Sequence, residues 1–138
     1  MDAGTLHVGV LILTVFGILY ADHIGLAYIR GKRATVRARL VSFLHSYIWL
    51  GLIGMIVSGV FLVLPAWEFY LTNLSWYIKM TFVLVLIFNA LVIGGLMKHA
   101  STMPFADLED GQKQTLRVSG VLSVLGWVVS AAIGYFYL

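Results

Sequence analysis

The chain has 138 residues, 61% of them hydrophobic and 11% charged, and its formal net charge is +3. A soluble domain is nearer half apolar and a quarter charged, so this balance excludes an ordinary water-soluble fold. The absence of cysteine excludes disulfides, thiolate metal sites and iron–sulfur clusters. The basic residues sit beside apolar runs, where membrane topology accounts for them, and give no nucleic-acid-binding patch.

No Asp, Glu, Lys or Arg occurs in 3–21, 40–67, 80–97 or 118–138. A helix of about 20 apolar residues crosses a hydrocarbon core of roughly 30 Å. The pattern predicts an all-α polytopic membrane protein, one antiparallel four-helix domain over 1–138 with no soluble part. The first helix is expected over about 6–29. Met1-Asp2 supplies no basic stretch before it, so it reads as a retained span and not as a signal peptide. Arg30-Gly31-Lys32-Arg33 ends it. The second is expected over 36–64, stopped by Pro65. Trp67, Phe69, Tyr70 and Trp76 then mark a headgroup-level segment. The third is expected over 75–97, closed by Lys98 and His99. Residues 100–114 form the one polar connection of any length, and the fourth helix follows over 115–137.

Basic residues set the orientation. Loop 1 and its flanks hold Arg30, Lys32, Arg33, Arg37 and Arg39, and loop 3 and its flanks hold Lys98, Lys113 and Arg117. Loops 1 and 3 share a side in a four-span chain, and the positive-inside rule makes it the cytoplasm. Both termini are then on the outer side. The setting read from this is a bacterial cytoplasmic (inner) membrane, with the lipid bilayer as first partner. Ser119, Ser123, Gly126, Ser130 and Gly134 form a small-residue stripe on helix 4 that suits a helix contact, a homodimer or a larger membrane complex.

Ionisable groups within a span are costly and often functional. Asp22 and His23 lie roughly 10 Å from the loop 1 end of helix 1, and His45 lies roughly 13 Å into helix 2. Asn89 and Ser123 reach the same depth on helices 3 and 4. All four helices thus carry a polar group at one level. His7 and His99 sit at helix ends and read as solvated, and Lys79 reads as a snorkelling cation. Met55, Met80 and Met97 read as packing residues.

Three functions are compatible with the polar layer. His45 and His23 are candidate axial metal ligands of haem b between helices 1 and 2, with Arg33 and Arg37 placed for its propionates. Such a protein is b-type cytochrome-like and passes electrons or handles haem. A second reading is a non-enzymatic scaffold or accessory subunit, with Asp22, Asn89 and Ser123 as a buried polar network around His45. A third is a proton or cation path through Asp22, His45 and Asn89. No catalytic residue is singled out.

Helix 2 and its approach read Arg37, Arg39, Leu44-His45-Ser46-Tyr47-Ile48-Trp49-Leu50-Gly51-Leu52 and Ser58-Gly59. Helix 3 opens Trp76-Tyr77-Ile78-Lys79-Met80, with Asn89 ten residues on. Over about 37–90 this resembles the small bacterial membrane proteins related to copper resistance protein D, and is similar in layout to the four-helix membrane protoporphyrinogen oxidases. The resemblance implies a helical bundle that holds b-haem or handles copper or porphyrin, with His45 as the carried-over ligand. Helix 1 shows no aromatic-rich signature around a histidine, and no outer segment is rich in methionine or histidine. The resemblance therefore does not extend to enzymatic activity or copper transport.

Overall fold

The computed structural model describes residues 1–138. Its long helices are α1 (Ala3–Ile29), α2 (Ala38–Val63), α4 (Leu74–Ala100) and α5 (Asp110–Phe136), with a one-turn α3 (Trp67–Leu71) between α2 and α4. All four long helices are long and apolar enough to cross a membrane. Only 19 of 138 residues are buried, and Leu50, Phe61, Leu84, Phe88 and Val128 lie exposed on the spans. An apolar surface of that extent is stable in hydrocarbon and not in water. The chain is an integral membrane four-helix bundle.

Local chemistry explains the helix ends. At the start of α1, the Thr5 N–H donates to the Asp2 carboxylate at 2.6 Å, an N-cap. That bond holds the Asp2 carboxyl below its ordinary value of 3.8, so the cap is complete at neutral pH and is lost as pH falls through the lowered value. α1 ends in a Schellman turn. The Lys32 N–H donates to the Ala27 carbonyl and the Gly31 N–H to that of Tyr28, with Gly31 at φ +75°, a conformation glycine adopts without strain. Pro65 lies in the 3₁₀ turn Leu64–Ala66 that follows α2.

Two boundaries differ from the sequence expectation. α5 begins five residues before 115, because Glu109 and Gln112 form a reciprocal capping box that carries the helix into the polar segment. α4 continues to Ala100, with Lys98 and His99 forming its last turn. The connection after it is less polar in practice than its composition suggests. Phe105 and Leu108 turn inward and join Ile24, Tyr28, Val36, Leu44, Ala100 and Leu116 in the main core cluster.

This cluster seals the end of the bundle that holds loops 1 and 3. The Tyr28 hydroxyl donates to the Met103 carbonyl at 2.8 Å, and the Val36 N–H donates to the Ala100 carbonyl at 2.8 Å. Tyr28 meets Phe105 edge to face at 6.0 Å. Lys113 and Arg117 stand over the Phe105 ring, at 5.9 and 5.3 Å from its centroid.

Away from that end the helices pack in two pairs. α1 lies along α2, where Tyr47 fills the space beside Gly17, Thr14 packs on Gly51 and His7 on Gly59. α5 lies along α4, where Leu86 packs on Gly126. The small-residue stripe of α5 is therefore an internal contact at Gly126. The pairs meet mainly through α2 and α4, whereas α1 and α5 scarcely touch. One edge of the bundle is consequently open.

Tyr28→Phe should destabilise the detergent-solubilised protein by about 1 kcal/mol through the lost hydrogen bond. Tyr28→Ala should cost about 3–5 kcal/mol, because it also empties a packed position. Thermal unfolding followed by circular dichroism checks both, and equal midpoints for Tyr28→Phe and wild type would show that the Met103 bond contributes nothing.

Candidate functional site

The weak α1–α5 edge opens onto a cavity of about 660 Å³ just inside the sealed end. α1 contributes Asp22 and Gly25, α2 contributes His45, α4 contributes Asn89, Gly94 and Met97, and α5 contributes Arg117, Ser119 and Ser123. Most of the remaining wall is aliphatic. A second cavity of about 60 Å³ continues toward mid-span between Trp49, Leu52, Leu86 and Trp127, and shares His45, Asn89 and Ser123 with the first.

Each polar group reaches this place for a local reason. Asn89 is 8% exposed and must find its partners inside the bundle. Its side-chain amide donates to the Ser119 carbonyl at 3.1 Å, and the Ser119 hydroxyl donates back to the Asn89 side-chain carbonyl at 2.6 Å. This reciprocal pair joins α4 to α5. The His45 imidazole lies against Gly94, where any side chain would collide with the ring. Trp49, one turn along α2, meets His45 edge-on at 6.3 Å and an interplanar angle of 72°. The ring is thus backed on two sides and still exposed to the cavity.

Asp22, His45, Asn89 and Ser123, expected at one depth, all line the larger cavity. The hydrogen-bonded partner of Asn89 is Ser119, one turn before Ser123 on the same face of α5. Asp22 and His45 have no hydrogen-bonded partner in the protein, in contrast to His7 with Ser58 and Asn89 with Ser119.

Three other sequence candidates fall elsewhere. His23 is exposed and does not line the cavity. Asp22 and His23 are about 100° apart on the helix, so turning the carboxylate inward turns the imidazole away. The expected His45–His23 ligand pair is therefore not assembled. Arg33 and Arg37 are exposed in and beside loop 1, off the cavity, and the arginine on its wall is Arg117. Loop 1 runs from the Schellman turn to Val36, whose N–H donates to the Ala100 carbonyl.

One expectation about the other end also changes. His7 is half-buried, with its Nδ1 at 2.7 Å from the Ser58 hydroxyl, and is not a freely solvated surface group. Lys79 is half-buried against Gly134 of α5.

No protein family, curated protein or solved structure matches the chain. The site therefore rests on its own geometry. Nowhere do three or more His, Asp or Glu side chains gather as ligands for a bare metal ion.

A double-mutant cycle of Asn89→Ala and Ser119→Ala isolates the side-chain half of the α4–α5 pair. Its coupling energy should be about 0.6 kcal/mol, the mean for such bonds within bilayers, and not above about 1.7 kcal/mol. Additive single effects would mean that this bond does not hold the cavity wall.

Proposed function

We propose that this chain is a small bacterial inner-membrane protein of the b-type cytochrome kind, holding haem b in the open cavity with His45 as the single protein ligand to iron. In this reading the bundle is antiparallel, with loops 1 and 3 in the cytoplasm beside their arginines and lysines, and with both termini outside. The observation that carries it is one exposed imidazole on the wall of a largely apolar cavity of about 660 Å³. That volume lies within the range of small-molecule and cofactor pockets.

A bare metal ion needs several protein ligands at one point, and only one imidazole is on the wall. A porphyrin brings four nitrogens of its own and needs few ligands from the protein, and His45 would be the residue that holds its iron. Haem b, when bound, supplies a one-electron redox couple. Gly94 and Trp49 orient the imidazole. Arg117, at the loop 3 end of the wall, suits a carboxylate by its fork of donors. The aliphatic wall would keep water from a group held there. The open α1–α5 edge lets a lipid-soluble molecule enter from the side.

A second reading has one observation in its favour. Asp22 lines the same cavity without a hydrogen-bonded partner, as a proton or cation relay would require.

Titrating haem into the detergent-purified protein separates the two. The wild type should develop a Soret band with saturable one-to-one binding. His45→Ala should abolish the axial-ligand spectrum, whereas His23→Ala and Asp22→Asn should keep it. A wild type that stays colourless, or a His45→Ala variant with the same spectrum, overturns the haem reading. Proton flux in liposomes that is lost in Asp22→Asn would then support the relay.

A further inference from the structure

Arg33 and Arg37 take no part in the cavity, and neither do Arg30, Lys32 and Arg39. All five are exposed at the sealed end. They fall within 30–39, a stretch that holds no Asp or Glu. The other cations of this end are differently placed. Lys98, Lys113 and Arg117 are matched in number by Asp107, Glu109 and Asp110 around loop 3. Lys113 and Arg117 also stand over the Phe105 ring. Charge is therefore balanced around loop 3 and concentrated, all of one sign, on loop 1.

The fold presents these cations from a held backbone. The Lys32 and Arg33 N–H groups both donate to the Ala27 carbonyl, at 2.9 and 3.2 Å. Val36 is 1% exposed and is tied to Ala100 by its N–H. Loop 1 is thus anchored at both ends while its charged side chains stay on the surface.

Helix stability does not account for them. α2 opens with no side-chain cap and no acidic residue in its first turn. Arg37 at its N-cap and Arg39 in its first turn lie against the positive end of the helix dipole, where a cation is disfavoured. Topology asks for basic residues at this end, but not for five without a counter-charge.

The surface next to the cations identifies the anion. Leu26 lies one turn from Arg30 on the same face of α1 and is 44% exposed. Phe43 lies one turn from Arg39 on the same face of α2 and is 60% exposed. Charge at the helix ends thus gives way, one turn into the span, to bare apolar side chains. A soluble anion meets only the charge. A phospholipid meets both, with its phosphate at the helix ends and its acyl chains along the spans.

We propose that loop 1 and the adjoining ends of α1 and α2 form a binding surface for anionic phospholipid. The five cations meet headgroup phosphates, which arginine grips with two parallel N–H donors. Leu26 and Phe43 lie against the acyl chains. A cluster of about four to eight basic residues beside a span is enough to select anionic lipid over zwitterionic lipid. The surface is separate from the cavity and does not depend on haem.

The test uses the whole protein in lipid-free detergent. Thermal unfolding is followed while phosphatidylglycerol, phosphatidylcholine or inorganic phosphate is added, with chloride at matched ionic strength as the control. The wild type should be stabilised saturably by phosphatidylglycerol, with an apparent affinity at least tenfold above that for phosphatidylcholine. Inorganic phosphate should do no more than chloride. Raising the salt from about 0.05 M to about 0.5 M should weaken the phosphatidylglycerol response, because exposed charges are screened. Arg33→Gln combined with Arg37→Gln should lower that affinity at least tenfold, and lysine at both positions should retain most of it. Lys113→Gln, which removes a cation from the loop 3 side, should respond as wild type. So should His45→Ala, whatever the cavity holds. Arg39→Gln alone should lower the affinity about fivefold, and with the salt series it decides the matter should the double variant fail to insert. Equal responses to the two phospholipids overturn the proposal, as does a response to inorganic phosphate as large as that to phosphatidylglycerol. So does an undiminished response in the double variant or in Arg39→Gln, or an equal loss in Lys113→Gln.

Discussion

Hydrocarbon offers no hydrogen bonds, so every polar group placed within a span must be answered inside the protein. That constraint organises this bundle. The helices satisfy the backbone along their own axes. The polar side chains then have one direction available to them, toward the other helices. Asn89 finds Ser119, and His7 finds Ser58. These bonds, with the Tyr47 bond to the Leu13 carbonyl and the Tyr28 and Val36 bonds at the sealed end, are directional links in an otherwise apolar assembly. Helix packing in lipid gains little from burying apolar surface, because the tails are as apolar as leucine. Close contact at Gly17, Gly51 and Gly126 therefore contributes strongly to the two helix pairs.

The same constraint makes the open edge informative. α1 and α5 fail to close, and Asp22 and His45 are left on the wall of the resulting cavity. A bundle selected for packing alone would fill this space with leucine. Here the wall keeps a carboxylate, an imidazole and two serines beside it. The rigid parts are placed so as to hold these groups still: the core plug below, the Asn89–Ser119 pair behind, and the Gly94 backbone under the imidazole.

The four spans were legible because charge disappears for the length of a bilayer crossing four times. The shared depth of Asp22, His45, Asn89 and Ser123 was legible because helical rise converts residue count into distance. Facing was harder to read. The 100° between Asp22 and His23 shows that they diverge, but not which of them turns inward, and only the packing of α1 on α2 decides it. In the sequence Arg117 reads as a topology signal, because its place on the cavity wall depends on how α5 is rotated. The packing of Lys79 on Gly134 and of His7 on Ser58 is not legible, because a lysine and a histidine near helix ends match the pattern of snorkelling and solvation. The inward turn of Phe105 and Leu108 was hidden by the acidic residues around them. In each case depth follows from the sequence, whereas azimuth follows from partners distant in it.

The account stands or falls on the cavity being an accessible space bounded by Asp22, His45 and Ser123. The chain has no cysteine, so single substitutions report cleanly. Reaction of Ser123→Cys with a small membrane-permeant maleimide, compared with Ser130→Cys in the closed α4–α5 interface, measures this directly. The structure predicts rapid modification of Ser123→Cys, suppressed when haem is added, and slow modification of Ser130→Cys. If Ser123→Cys is as inert as Ser130→Cys, the helices close over that space and no site exists between α1 and α5.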